Sequence, residues 1–173
     1  NRDGCSFFIE NNVEKMEKLK TNLTKLLPNQ EIGIVHASLN KKTIDKRIDA
    51  FRNKEINVLI CTTIVEMGLD IPEANTIIIN NAQNFGLSQL HQLRGRIGRS
   101  SRQGYCYALI PSPNIGNQSN SRLKSFVDNS HLGAGFNIAE EDLEIRGAGE
   151  ILGIKQSGHI DTIGMSLYMS MLK

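Results

Sequence analysis

The sequence predicts an α/β domain: a parallel sheet flanked by helices, followed by a small helical hairpin and loop extension. Three observations carry that expectation. Short runs apolar on both faces recur along the first two-thirds of the chain. Segments with helical spacing separate the early runs, and strands buried on both faces belong to parallel sheets covered on both sides. From Pro111 onward the alternation stops.

Taken in order, Cys5-Ser6-Phe7-Phe8-Ile9 reads as the first strand. Val13, Met16, Leu19, Leu23 and Leu26 then recur at helical spacing, and Pro28-Asn29 ends that helix. Ile32-Gly33-Ile34-Val35 is a second strand. Ile44, Ile48 and Phe51 mark the inner face of a second helix, with Lys and Arg outside. Val58-Leu59-Ile60-Cys61, Thr76-Ile77-Ile78-Ile79 and Tyr105-Cys106-Tyr107-Ala108-Leu109-Ile110 follow as strands three to five. Ligands of such sheets gather beyond the carboxyl ends of the strands. The loops after Val35, Cys61, Ile79 and Ile110 are therefore the ones to watch.

Residues 111–121 read as a polar linker with no apolar period. A short helical stretch (Leu123, Phe126, Val127), a glycine turn at Gly133-Ala134-Gly135 and a helix near 138–145 come next. A glycine-rich stretch at 147–153 precedes a final amphipathic segment from Thr162. The expected division is residues 1–112 as one domain and 113–173 as the extension.

With 173 residues the chain has room for one core and an appendage. No apolar run approaches the roughly 20 residues of a membrane helix, so no membrane partner is expected. Asn1-Arg2-Asp3-Gly4 offers neither an initiator Met nor a secretory leader, which reads as a piece of a larger protein. Cys5, Cys61 and Cys106 form no CxxC pair, so neither a disulfide nor a metal site is expected and a reducing cytoplasm fits best. Net charge is only +2, yet Arg94, Arg96, Arg99 and Arg102 fall within nine residues. Such local cationic density suits an anionic partner, though a solvated basic face has the same composition.

The strongest motif is Gln92-Leu93-Arg94-Gly95-Arg96-Ile97-Gly98-Arg99. On a helix, Gln92, Arg96 and Arg99 would share one face while Arg94 points elsewhere. Two fixed guanidinium groups suit the oxygens of a polyphosphate. Gly95 and Gly98 each cost a helix about 1 kcal/mol, and close approach of the backbone to another surface would explain them.

This block resembles motif VI of superfamily 2 helicases, and residues 62–72, from Thr62-Thr63 through Gly68-Leu69-Asp70-Ile71-Pro72, resemble their motif V. Ile34-Val35-His36-Ala37-Ser38 is similar to the segment after motif IV, with Ala37 where many members have Gly. Residues 142–150 (Asp-Leu-Glu-Ile-Arg-Gly-Ala-Gly-Glu), followed by Gln156-Ser157-Gly158, resemble the translocation motif shared by RecG and the transcription-repair coupling factors. Ala148, the residues 132–136 and the ending 162–168 favour the second of these two groups. The glycines at 147–153 echo a dinucleotide fingerprint, but the charged residues before them do not make a buried strand.

The resemblance implies a second RecA-like domain of a bacterial, cytoplasmic, ATP-driven double-stranded DNA translocase that removes stalled RNA polymerase and couples transcription to repair. It implies Arg99 as arginine finger, Arg96 as a second γ-phosphate ligand, and Gln92 as phosphate sensor. Gly68 and Asp70 would lie at the nucleotide edge. Thr62 and Thr63 would hold a DNA phosphate or, equally, cap the following helix. Arg122, Arg146 and Gln156 match the coupling residues of the extension; for Arg146 an ion pair with Glu144 or Glu150 is the alternative, and for Gln156 an ordinary exposed amide. No Gly-x-x-x-x-Gly-Lys-[Ser/Thr] loop and no Asp-Glu-x-x box occurs in these residues. ATP and its Mg2+ would therefore be held mainly by a first RecA-like domain, with RNA polymerase and excision-repair proteins reached through other domains. A RecG-like branch-migrating helicase, or a non-catalytic DNA- or protein-binding module, are the alternatives.

Overall fold

A computed structural model describes residues 4–63, 71, 74–98, 103–112 and 115–129. The elements run β1 (Cys5–Ile9), α1 (Val13–Leu26), β2 (Ile32–Val35), α2 (Lys41–Arg52), β3 (Val58–Cys61), β4 (Ala74–Ile79), α3 (Leu87–Arg94), β5 (Tyr105–Ala108) and α4 (Asn117–Asp128). The chain divides into two compact units, residues 1–82 with 91–113, and residues 83–90 with 114–173.

In the first unit the strands form one sheet in the order β2-β3-β1-β4-β5, and every neighbouring pair is parallel. Strand side chains alternate between faces, so Phe7 and Phe8 point opposite ways. Phe8 joins Ile32, Ile34, Val58 and Ile60 beneath Met16, Leu19 and Leu23 of α1. Phe7 meets Phe51 of α2, their ring centroids 4.9 Å apart. The two periodicities read from the sequence thus meet on opposite sides of the same strand.

Both early helices start on asparagine caps. The Asn12 side chain accepts from Lys15 N at 3.3 Å and that of Asn40 from Thr43 N at 2.8 Å. Each satisfies one of the donors a helix start leaves unpaired. Past α2 the chain turns at Lys54, whose φ of 64° is left-handed.

Three expectations are corrected. β4 begins at Ala74 rather than Thr76, because Asn75 is a buried polar residue inside the strand. β5 ends at Ala108, although Leu109 N still donates to Ile79 O at 2.9 Å. The stretch read as linker is half helix: α4 takes in residues 117–121. The glycine turn at 133–135, the helix near 138–145 and the segments beyond it lie outside the described residues.

Candidate functional site

Parallel strands place all their carboxyl ends on one edge of the sheet. Thr62 and Thr63 leave β3 there, both half-buried. His36 leaves β2 at the same edge, half-buried, with Nδ1 enclosed and without a hydrogen-bond partner among the described residues.

Between β1 and β4 this edge holds a residue the motifs did not flag. Glu10 is only 4% exposed. Its Oε2 accepts from Asn80 Nδ2 at 2.6 Å and its Oε1 from Asn12 N at 2.8 Å. Asn80 N donates to Ile9 O at 3.0 Å and Glu10 N to Cys61 O at 2.9 Å, so the Glu10 carboxylate joins the ends of β1 and β4 while its backbone reaches the end of β3. Both oxygens have donors, as a buried carboxylate requires. The only sequence signal was a charged residue directly after a buried run.

The motif VI residues lie elsewhere. α3 follows β4 and returns to the amino edge of the sheet, where β5 begins. Its regular helix stops at Arg94. Gly95 N still donates to His91 O at 2.9 Å, but Arg96 N reaches Leu93 O at 3.0 Å and Ile97 N reaches Arg94 O at 3.3 Å. Spacing has tightened from four residues to three, so Arg96 sits on a turn. The expectation that Gln92 and Arg96 lie on one regular helix is corrected accordingly. Gln92 is exposed on α3, Arg96 is half-buried on the turn, and Arg99 lies outside the described residues. Leu90, Leu93 and Ile97 are the buried side of this segment.

Gly98 has a local cause. Gly98 has φ 69°, a conformation that L side chains rarely adopt. A Cβ on Gly104 would come within 3.2 Å of the Gly98 Cα and N, so two backbones pack directly on each other just before β5. This close approach of backbones is made within the chain. Arg94 is half-buried, and burial lowers its guanidinium pKa, an effect the Cys106 thiol opposes. Burial in turn pushes the Cys106 thiol up to about 11, with Arg94 pulling it down.

In the second unit, Arg122 is a tether. Its Nη2 donates to Gln83 O at 3.1 Å and to Ser119 Oγ at 3.0 Å, while Ser119 Oγ donates to the same carbonyl at 3.3 Å. Two side chains of α4 thereby hold the 3-10 turn Ala82–Asn84 through its middle residue. Arg122 Nε and Gln83 Oε1 are enclosed without partners among the described residues. Gly68, Asp70, Arg146 and Gln156 lie outside the described residues.

Among the described residues no group of three or more His, Cys, Asp or Glu is placed to hold a metal ion. None of their helices is long and apolar enough to cross a membrane. Cys5 and Cys61 are buried thiols, Cys106 is half-buried, and none of the three is in a disulfide.

Comparison with known proteins agrees with the fold. Residues 1–101 match the family model described as the helicase conserved C-terminal domain. The chain is 49% identical over 172 residues to a transcription-repair-coupling factor from Buchnera aphidicola subsp. Baizongia pistaciae, covering 99% of this chain and 25% of the relative. It is 47% identical over 173 residues to that of Escherichia coli K12, covering 99% of this chain and 15% of the relative. The chain thus spans a quarter or less of the length of these relatives. Among solved structures, RecG bound to a three-way DNA junction superposes with a TM-score of 0.71 at 35% identity, covering 86% of this chain and 20% of that one. The five-stranded parallel sheet is the RecA-like fold of helicase C-terminal domains. With more than half of its residues inside the family model, the chain belongs to the helicase conserved C-terminal domain family.

Proposed function

We propose that this chain is the second motor domain of an ATP-dependent double-stranded DNA translocase that removes stalled RNA polymerase and couples transcription to repair. The observation that carries the reading is the end of α3, where an exposed amide and a guanidinium follow one another on and just past a short helix with no carboxylate between them. Such a donor set fits the oxygens of a polyphosphate. ATP, once bound, supplies a phosphoanhydride whose cleavage drives the motor. Arg96 and Gln92 would bind and orient its terminal phosphate, Arg99 would meet the charge developing in the transition state, and Gly68 with Asp70 would border the nucleotide. Mg2+ falls to a first RecA-like domain that brings the phosphate loop.

Thr62 and Thr63, at the opposite edge of the sheet, would hold a DNA phosphate by hydroxyl or backbone N–H, a contact that carries no sequence information. Translocation along arbitrary DNA needs that indifference. Arg122, Arg146 and Gln156 would pass domain closure on to the DNA grip. Excision-repair proteins and RNA polymerase would be met through other domains, in the bacterial cytoplasm. Likeness to RecG supports a second reading, branch migration of DNA junctions. Displacement of a stalled polymerase against unwinding of a three-way junction separates the two.

Replacing Arg99 by Ala in the full-length protein tests the central claim. Turnover of ATP should fall on the order of 10³-fold or more, with nucleotide affinity changed only a few-fold. An equal loss in both makes Arg99 a ground-state ligand and overturns its role. Arg94→Ala is not a neutral control, because that side chain is half-buried beside Cys106. Arg146→Ala and Gln156→Ala should keep DNA-stimulated ATPase and lose displacement; parallel loss of both refutes the coupling role.

A further inference from the structure

Between β1 and its two neighbours the backbone ladder runs one residue past the strands. Val35 and Ile9 both stand in register with Cys61, and Ile9 also with Ile79. One step on, Glu10 N still donates to Cys61 O at 2.9 Å and Asn80 N to Ile9 O at 3.0 Å. By register, His36, Thr62, Glu10 and Asn80 therefore follow one another along the carboxyl edge, each the first residue beyond its strand. Glu10 is buried there, beside Thr62. A buried carboxylate is costly, and the loss of one partner leaves it unsatisfied. The register of the sheet does not depend on it, because the backbone already pairs β1 with β3 and with β4. What the carboxylate adds falls on the loops: Oε2 takes Asn80 Nδ2 at 2.6 Å, and Oε1 takes Asn12 N at 2.8 Å, just before α1. Directly after Asn80 the chain turns at Asn81, whose φ of 52° is left-handed, and Ala82 N then donates to Leu109 O at 2.9 Å. The bond from Asn80 to Glu10 thus holds the chain just where it bends.

We propose that Glu10 is a positioning residue: through Asn80 and Asn12 it holds the exits of β1 and β4 still, and so sets the place at which Thr62 and Thr63 meet a phosphate of duplex DNA. Glu10 itself touches no phosphate, which its charge would repel. The link to Thr62 runs through the backbone. Cys61 O, to which Glu10 N donates, lies in the same planar peptide unit as the Thr62 N–H. A shift of the loop that Glu10 begins therefore tilts the plane that aims that N–H.

This inference rests on the proposed DNA-translocase reading, and its test separates the two. Asn80→Asp removes the donor and sets a second carboxylate against Glu10. Adding Glu10→Gln exchanges the two groups, since the amide then stands on β1 and the carboxylate on β4, and the amide keeps an oxygen for Asn12 N. Both variants are made in the full-length protein, and ATP turnover is measured against duplex concentration. Asn80→Asp should raise the duplex concentration for half-maximal stimulation about tenfold, the size of one lost hydrogen bond to a charged group. Turnover at saturating duplex should be nearly kept. The double variant should return the half-maximal concentration to within about threefold of the parent. A merely structural role lowers the melting temperature and the active fraction instead, so turnover at saturation falls while the half-maximal concentration stays; that result overturns the inference. So does a double variant that melts like the parent yet needs as much duplex as Asn80→Asp alone. Should Asn80→Asp fail to fold, Asn80→Ala deletes the donor without a second charge, and the same split is read. These failures leave the proposed function standing as long as duplex stimulates the parent. A parent that ignores duplex DNA overturns both.

Discussion

The two edges of the sheet are closed by different means. At the β2 edge every strand residue is buried, α1 and α2 pack on opposite sides, and Arg47 occupies a carbonyl that an edge strand would otherwise offer to a stranger. At the β5 edge Tyr105, Cys106 and Ala108 are only half-buried, and Tyr107, Leu109 and Ile110 are 42–43% exposed. That edge is led in by Gly104 lying on Gly98, backbone on backbone. One side of the domain is built from bulk. The other gives up side-chain bulk so that the turn carrying Arg96 lies tight against the sheet.

The largest test of this contrast is Phe51→Ala against Tyr107→Ala. Phe51 is fully buried and packs on Phe7, so its truncation should cost about 3–5 kcal/mol in denaturant melts. Tyr107 is largely exposed and should cost roughly 0.5 kcal/mol or less. Equal losses would mean that the β5 edge is packed by surfaces not accounted for in this contrast. Of intermediate size is Gly98→Ala, which forces an L residue into φ 69°. About 1–2 kcal/mol of strain is expected, with ATPase in the full-length protein falling further than stability, because the same turn positions Arg96. A variant that melts normally and turns over normally would show that the turn does not set the geometry of Arg96.

How much of this was legible in the sequence follows from how local each cause is. Runs such as Phe7-Phe8-Ile9 and Leu59-Ile60-Cys61 announce themselves, because a strand buried on both faces needs nothing but apolar residues. β4 was read two residues short, since Asn75 interrupts its run while remaining buried. α4 hid inside a polar stretch because its tether is remote: Ser119 and Arg122 bond a carbonyl 36 and 39 residues away. Periodicity reads a helix on through Arg96, whereas α3 ends at Arg94 and Gly98 takes a left-handed φ that periodicity does not register. Glu10 was missed because its partner Asn80 lies 70 positions along the chain.

The smallest effect expected is chemical, and it places the two cysteines on the same contrast. Cys61 lies in β3, near the middle of the sheet, fully enclosed, and burial drives its thiol far above the ordinary range. Cys106 lies in β5, where burial is incomplete and Arg94 draws its thiol back toward about 11. Alkylation proceeds through the thiolate, so at pH 8 only about one Cys106 in a thousand is reactive at any moment. Its labelling should be slow, rise about tenfold per pH unit up to its pKa, and precede that of Cys61, which should label only when the chain unfolds. Arg94→Met keeps much of the side-chain volume and removes the cation. A cation favours the thiolate, so its loss should raise the Cys106 pKa further and slow labelling at fixed pH, a few-fold at most for a partly solvated pair. Mass spectrometry of iodoacetamide adducts, read site by site against pH, measures both rates. Faster labelling in Arg94→Met would mean that Arg94 mainly shields the sulfur and that the β5 edge opens without it, which would make the guanidinium stem a piece of the packing that the exposed edge otherwise lacks.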